Sequence, residues 1–183
     1  MIIGLTGTYG SGKNKAVEYF IKKGFNHYSV RGFLEERLKQ EGRSPDRDNL
    51  IQKGNELRKN YGNEFLVREI YKNSKGDDIV IESLRNPEEI IYLRNFDDFY
   101  MIAVDADLKE RYKRIKKRKS DSDYVSFEKF KHDELREMSS KDKSKQNLEK
   151  CIRMADFNIQ NNGSERELYC KLDRVFEEIG LTH

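Results

Sequence analysis

Residues 7–16 read GTYGSGKNKA, and Gly7, Gly10, Gly12 and Lys13 in it fit the spacing G-x-x-x-x-G-K. Positions without side chains let backbone N–H groups, Ser11 among them, converge on phosphate oxygens. A helix opening at the lysine adds the partial positive charge of its first turn. Lys13 would then reach the outer phosphates. The residue after that lysine is normally a hydroxyl that helps hold magnesium, but here it is Asn14, followed by Lys15. Magnesium prefers hard oxygen ligands and keeps several waters. The Asn14 amide oxygen is therefore the ligand on offer, whereas Lys15 can only add positive charge.

A second concentration of charge is LKERYKRIKKRK at 108–119, with eight basic residues. At about 100° per residue a helix buries Leu108, Tyr112 and Ile115 and sets Arg111, Arg114 and Arg118 beside that stripe. Lys109, Lys113, Lys116 and Lys117 point the other way. A guanidinium fork suits bidentate contact with phosphate, while lysine suits bulk solvation. Arg114 and Arg118 are thus the phosphate-stabilising candidates. A basic helix of this kind also admits an RNA-binding reading, which predicts strongly salt-dependent affinity.

The elements that must position these residues follow from periodicity. Short apolar runs at 1–6, 25–30, 78–83, 99–104 and 156–160 read as strands. Amphipathic stretches at 13–23, 32–41, 47–60, 63–73, 87–95, 107–118, 127–139, 144–154 and 165–179 read as helices. Asn86-Pro87 is a helix-start signal, and Asp107-x-x-Glu110 and Ser164-x-x-Glu167 have capping-box spacing. Near-continuously apolar strands separated by helices imply a five-stranded parallel sheet covered on both faces. The domain is single, with core 1–30, 74–118 and 151–183. Helical insertions at 31–73 and 119–150 look too charged to be core. Glu82 falls at the C-terminal end of its strand, the edge where open α/β sheets bind ligands.

The chain resembles P-loop nucleoside monophosphate kinases and dephospho-coenzyme A kinases. The likeness is carried by IIGLTGTYGSGKNK and by Arg114-x-x-x-Arg118 before KSDSDYVSFEKFKHDELRE, and it extends over nearly the whole chain. The family's fold is the three-layer α/β P-loop NTPase fold with acceptor-binding and lid insertions. By the resemblance, ATP is the phosphoryl donor and Mg2+ the cofactor, with 31–73 binding the acceptor and 119–150 forming the lid. Adenylate kinases carry Gly and Thr where this chain has Asn14 and Lys15. IESLRNPEE resembles the family's D-G-F-P-R motif, one residue shorter. That similarity gives Glu82 to hydrated magnesium and Arg85 to the acceptor phosphate. Arg31 and Arg58 of the first insertion, and Arg136 of the second, are the further acceptor or lid arginines. MADFNIQNNGS resembles the segment beside the adenine in dephospho-coenzyme A kinases, which implicates Asn162; Asn161, Asn162 and Gly163 also suit an ordinary turn.

The acceptor separates the candidate functions. A ribose hydroxyl acceptor, as in dephospho-coenzyme A kinases, wants a general base soon after the second strand, and SVRGF has no carboxylate until Glu35. A monophosphate acceptor wants arginines there, and the segment provides them. A nucleotide-binding regulator with weak catalysis is the reading that Asn14 and Lys15 favour. Two separated cysteines make neither a disulfide framework nor a zinc site, and His27, His132 and His183 have no ligand spacing. MIIGLTG lacks a leader's basic and long apolar regions, and no apolar run reaches a membrane span of about 20 residues. Expected are a cytoplasmic chain, small nucleotide partners, no membrane and no nucleic acid, as a monomer or homodimer. A net charge of +3 is too small to argue for nucleic acid by itself.

Overall fold

The computed structural model describes residues 1–118, 126–138 and 140–180. The chain runs β1 (Ile2–Thr6), α1 (Lys13–Lys22), β2 (Asn26–Ser29), α2 (Val30–Gln40), α3 (Arg47–Tyr61), α4 (Phe65–Asn73), β3 (Ile79–Glu82) and α5 (Pro87–Leu93). It continues through β4 (Phe99–Asp105), α6 (Leu108–Arg118), α7 (Phe127–Met138), α8 (Leu148–Arg153), β5 (Phe157–Gln160) and α9 (Glu165–Glu178). All five strands are parallel, in the order β2-β3-β1-β4-β5. The order reverses around β1, so the loop after β1 opens at the switch point where such sheets bind ligands.

The strand period of two divides the core. Ile2, Ile79, Ile81 and Met101 face one layer, in which Leu34, Leu38, Leu57, Leu66, Val67 and Ile70 of α2, α3 and α4 pack. Ile3, Leu5, Val80, Ile102 and Val104 face the other, against α1 and α9. There Phe20, Phe25 and Phe176 meet with ring centroids 5.5–6.0 Å apart, the aromatic core that the Phe and Tyr content suggests. The expectation that the insertions are too charged for core is therefore corrected. An amphipathic helix can be highly charged overall and still bury a complete leucine stripe.

Local signals set the element ends. The Ser29 hydroxyl accepts the Gly32 N–H at 3.0 Å, so α2 starts at the end of β2 without a loop. Asn86 and Glu89 form a full capping box for α5. Ser164 caps α9 by accepting the Glu167 N–H. The Asp107 carboxylate instead accepts from Gln160 Nε2 at 3.0 Å. α8 is shorter than 144–154 because Asn147 caps it, accepting the Lys150 N–H at 3.1 Å. On α6, Arg111 is buried at 5% exposure and Leu108 is only partly so, which shifts the inward stripe toward Arg111 and Ile115.

Candidate functional site

The loop from Gly7 to Gly12 has the backbone its glycines require. Gly7 has φ 136° and Gly12 φ 103°, both outside the range of ordinary L residues. A Cβ at Gly7 would run into the Val104 carbonyl, and one at Gly12 into the Asn161 amide. Lys13 opens α1 and is buried, its Nζ donating to the Gly7 and Thr8 carbonyls at 2.7 Å each. Burial, then the nearby Arg85 charge, push the Lys13 ammonium down to about 7, with Glu82 and Asp105 pulling the other way. The Ser11 hydroxyl is buried in this loop without a partner. A loop of this backbone, with an orphan hydroxyl and a lysine folded onto its own carbonyls, fits a polyphosphate.

Two carboxylates stand at the C-terminal sheet edge beside the loop. Glu82 ends β3, and its two oxygens accept from the Ser29 and Ser83 hydroxyls. Ser83 has φ 67°, the only positive φ at a non-glycine among the described residues. Backbone strain of that kind costs on the order of 1–3 kcal/mol and concentrates at functional sites. Asp105 ends β4 and accepts from the Thr8 hydroxyl and, at 2.8 Å, from the Ala106 N–H. The described residues contain no cluster of three or more His, Cys, Asp or Glu able to hold a metal by themselves. Magnesium needs no such cluster, since one or two carboxylates, waters and substrate phosphates complete its shell. Glu82 fits that requirement, and Asn14, exposed in the first turn of α1, offers its amide oxygen.

The arginines of α6 hold the loop from outside. Arg114 donates to the Ser11 and Gly163 carbonyls at 3.2 Å each, and Asn161 Nδ2 donates to the same Ser11 carbonyl at 2.8 Å. Arg118 donates to Tyr9 Oη at 3.0 Å and lies over the Tyr9 ring at 5.6 Å. Arg111 donates to the Ala106 carbonyl at 2.7 Å and forks onto Glu134 of α7, with Nη2–Oε1 at 2.9 Å.

Next to Tyr9 a cavity of about 600 Å³ opens between α2, the start of α3 and α7. Val30, Leu34, Leu50 and Ile51 form its apolar wall, and Arg31, Arg47, Arg58 and Arg85 its cationic groups. Arg47 also lies over the Tyr9 ring, 5.2 Å from its centroid. Arg85 is pushed down to about 10, by burial first and then by Arg47 beside it. Both arginines meet Glu137 of α7.

The predicted residues thus divide. Gly7, Gly10, Ser11, Gly12, Lys13, Glu82, Arg85, Arg114 and Arg118 surround the loop and its edge. Lys15 turns away, pairing with Glu18 at 2.7 Å and Glu165 at 3.3 Å on the surface. Asn162 gives its amide oxygen to the Asp107 N–H at 2.8 Å, and its neighbour Asn161 is the one that reaches the loop. Arg31 pairs with Glu35 at the exposed rim. Arg58 is 2% exposed and paired with Glu89 at 2.7 Å, which leaves only Nη1 without a partner in the cavity wall. The Arg136 side chain and residues 119–125 lie outside the described residues. Sequence reasoning passed over Tyr9, Thr8, Asp105 and Glu137. Asp105, the last residue of an apolar run neighbouring the loop strand, carried the same edge signal as Glu82.

A family model described as an AAA domain, AAA_18, matches residues 3–141. The chain belongs to this AAA_18 family. The match takes in the phosphate loop, Glu82, Arg85 and both α6 arginines, while Asn161, which also holds the loop, lies beyond it. Among similar proteins is the UPF0200 protein MJ1399 of Methanocaldococcus jannaschii, 29% identical over 98% of this chain and 90% of that protein. The UPF0200 protein TK1334 of Thermococcus kodakarensis is 27% identical over 98% of each. The fold is similar to TT1252 from Thermus thermophilus, with TM-score 0.61, 21% identity and coverage of 100% of this chain and 98% of that one. Shikimate kinase from Aquifex aeolicus gives TM-score 0.59 at 17% identity, with both chains fully covered. This AAA_18 member has a three-layer α/β P-loop, kinase-like fold.

Proposed function

We propose that the protein transfers the γ-phosphoryl group of ATP to a small anionic acceptor, best read as a nucleoside or deoxynucleoside monophosphate. One observation carries this reading: the phosphate loop opens, past Tyr9, Ser83 and Arg85, onto a cavity with an apolar wall and several arginines. A nucleoside fits the apolar wall and a phosphate fits the guanidinium groups. The orphan Arg58 Nη1 and Gln146 Oε1 in that wall suit the polar edge of a base.

In the reaction the bond between the γ-phosphorus and the β–γ bridging oxygen breaks. A bond from that phosphorus to an acceptor phosphate oxygen forms, giving ADP and a diphosphate. Positioning and charge neutralisation carry most of such a step. Lys13 and the loop N–H groups hold the donor phosphates. Arg114 and Arg118 stand ready to leave the loop carbonyl and Tyr9 for the transferring group, and Arg85, Arg47 and Arg31 orient the acceptor. Mg2+, held by Glu82 and Asn14 through oxygen, would neutralise the donor phosphates. Segment 31–73 serves as the acceptor-binding part and 119–150, with Arg136, as the lid of a soluble cytoplasmic enzyme.

The dephospho-coenzyme A reading lacks its base: Val30, Arg31 and Gly32 follow β2, and Glu35 is paired with Arg31. A nucleotide-binding regulator is supported by Lys15, whose charge is spent on Glu18 and Glu165. ADP production from ATP and magnesium over a panel of monophosphates decides between the kinase and the regulator. Acceptor-dependent ADP release is expected; tight ATP binding without release would establish the regulator.

A further inference from the structure

Arg47 and Arg85 come from different elements, the first turn of α3 and the segment after β3, yet they converge on one carboxylate. Glu137 Oε1 accepts from Arg47 at 2.6 Å, and Oε2 pairs with Arg85 Nη1. Glu137 is 4% exposed, and Asp133, one turn earlier on α7, lies 3.6 Å from Arg47. We propose that Glu137 is a positioning residue that stands in for the acceptor's anionic group, holding Arg47 and Arg85 converged until the acceptor displaces it. The proposal rests on the reading of this cavity as the acceptor site.

The contrast with Glu89 supports it. Glu89 pairs with Arg58 and also accepts the Arg85 and Asn86 backbone N–H groups at 3.1 Å each, so it is fixed to the fold. Among the described residues the Glu137 carboxylate is bound by the two cavity arginines alone. Two oxygens bridging two guanidinium forks is the pattern that two phosphate oxygens would repeat. Without Glu137 or another anion there, two partly buried cations would face each other with only Asp133 near Arg47 to offset them, which is costly. An internal carboxylate removes that cost in the empty site but competes with the acceptor. The competition lowers apparent acceptor affinity by the fraction of molecules in which the arginines are released.

Inorganic phosphate is the probe, titrated calorimetrically into the full chain. Glu137→Gln keeps the shape and removes the charge, so phosphate should bind about tenfold more tightly than to the natural protein. The variant should melt lower without phosphate and gain more from saturating phosphate, because a ligand bound only by the folded state adds to its stability. Glu89→Gln should lose stability without any gain in phosphate affinity. Unchanged or weaker phosphate binding by Glu137→Gln would show that Glu137 is a structural ion pair and overturn the proposal. If Glu137→Gln does not fold, Glu137→Asp, too short to bridge both arginines, must shift phosphate affinity in the same direction or the proposal fails. Under turnover, Glu137→Gln should lower the acceptor KM and leave the ATP KM unchanged. If no monophosphate is turned over, the kinase reading falls and the phosphate titration still decides the role of Glu137.

Discussion

Lys13 sets the chemistry of the loop at the scale of a single side chain. Its amine lies near 7 in the nucleotide-free fold, against 10.5 in the unfolded chain, because burial and Arg85 oppose its charge. Between those values the unfolded chain binds more protons, so stability without nucleotide should rise with pH across that window. Bound phosphates favour the charged amine, so ATP binding should take up close to one proton per nucleotide around pH 8.5–9, roughly the full difference in Lys13 protonation. Calorimetry in buffers of different ionisation enthalpy measures this uptake; its absence, with ATP bound, would contradict the role given to Lys13. Lys13→Met should lose roughly 10–100-fold in ATP affinity, the worth of a charge-assisted contact. It should also lose the rise of stability with pH. Lys15→Thr, by contrast, should leave ATP affinity and melting temperature unchanged, since its partners Glu18 and Glu165 are on the surface.

Single elements also carry links that tie the site together. Asn86 is fully buried: its side chain caps α5 at the Glu88 N–H, 2.9 Å away, and donates to the Lys143 and Lys145 carbonyls at 2.7 and 3.0 Å. Asn86→Ala removes a cap and orphans two carbonyls, costing about 1–3 kcal/mol. Denaturant unfolding measures the loss, and hydrogen exchange should quicken at residues 143–147 before elsewhere. The sequence showed this helix start through Asn86-Pro87, because caps and proline are local signals. It could not show the second job of Asn86, because contacts over 57 residues leave no mark in local spacing. The same limit separates the legible part of the site from the rest. Gly7 to Lys13, Glu82 and the α6 arginines sit at fixed offsets from strand and helix ends. Arg47 and Glu137, 90 residues apart, meet only because the fold brings α7 to the start of α3. The pairing of Lys15 with Glu165 of α9 was hidden for the same reason, since the two are 150 residues apart in the chain and 3.3 Å apart in the fold.

For the whole molecule, alternating strand faces and helix stripes made the parallel sheet and its two covering layers readable, since both rest on short periods, whereas the order β2-β3-β1-β4-β5 depends on pairings between distant strands. The cavity was not readable, as its wall is assembled from the phosphate loop, α2, α3, the segment after β3, α7 and Gln146, which are far apart in the chain. Its arginines and the loop lysine form one field, in which the Arg85 charge is felt at Lys13. Acceptor and donor anions should therefore bind with positive coupling, each site's anion relieving repulsion at the other. ATP affinity measured with and without a saturating monophosphate tests this, and weaker ATP binding in the presence of the monophosphate would contradict it. The most direct measurement is transfer of labelled γ-phosphate from ATP to a nucleoside monophosphate, for the natural chain and for Arg85→Ala. Label is expected in the diphosphate product, with transfer in Arg85→Ala reduced by roughly 100-fold, as for loss of a buried charge contact of about 3 kcal/mol. Label that stays in ATP with every monophosphate, or that transfers equally well without Arg85, would contradict a kinase whose acceptor sits in this cavity.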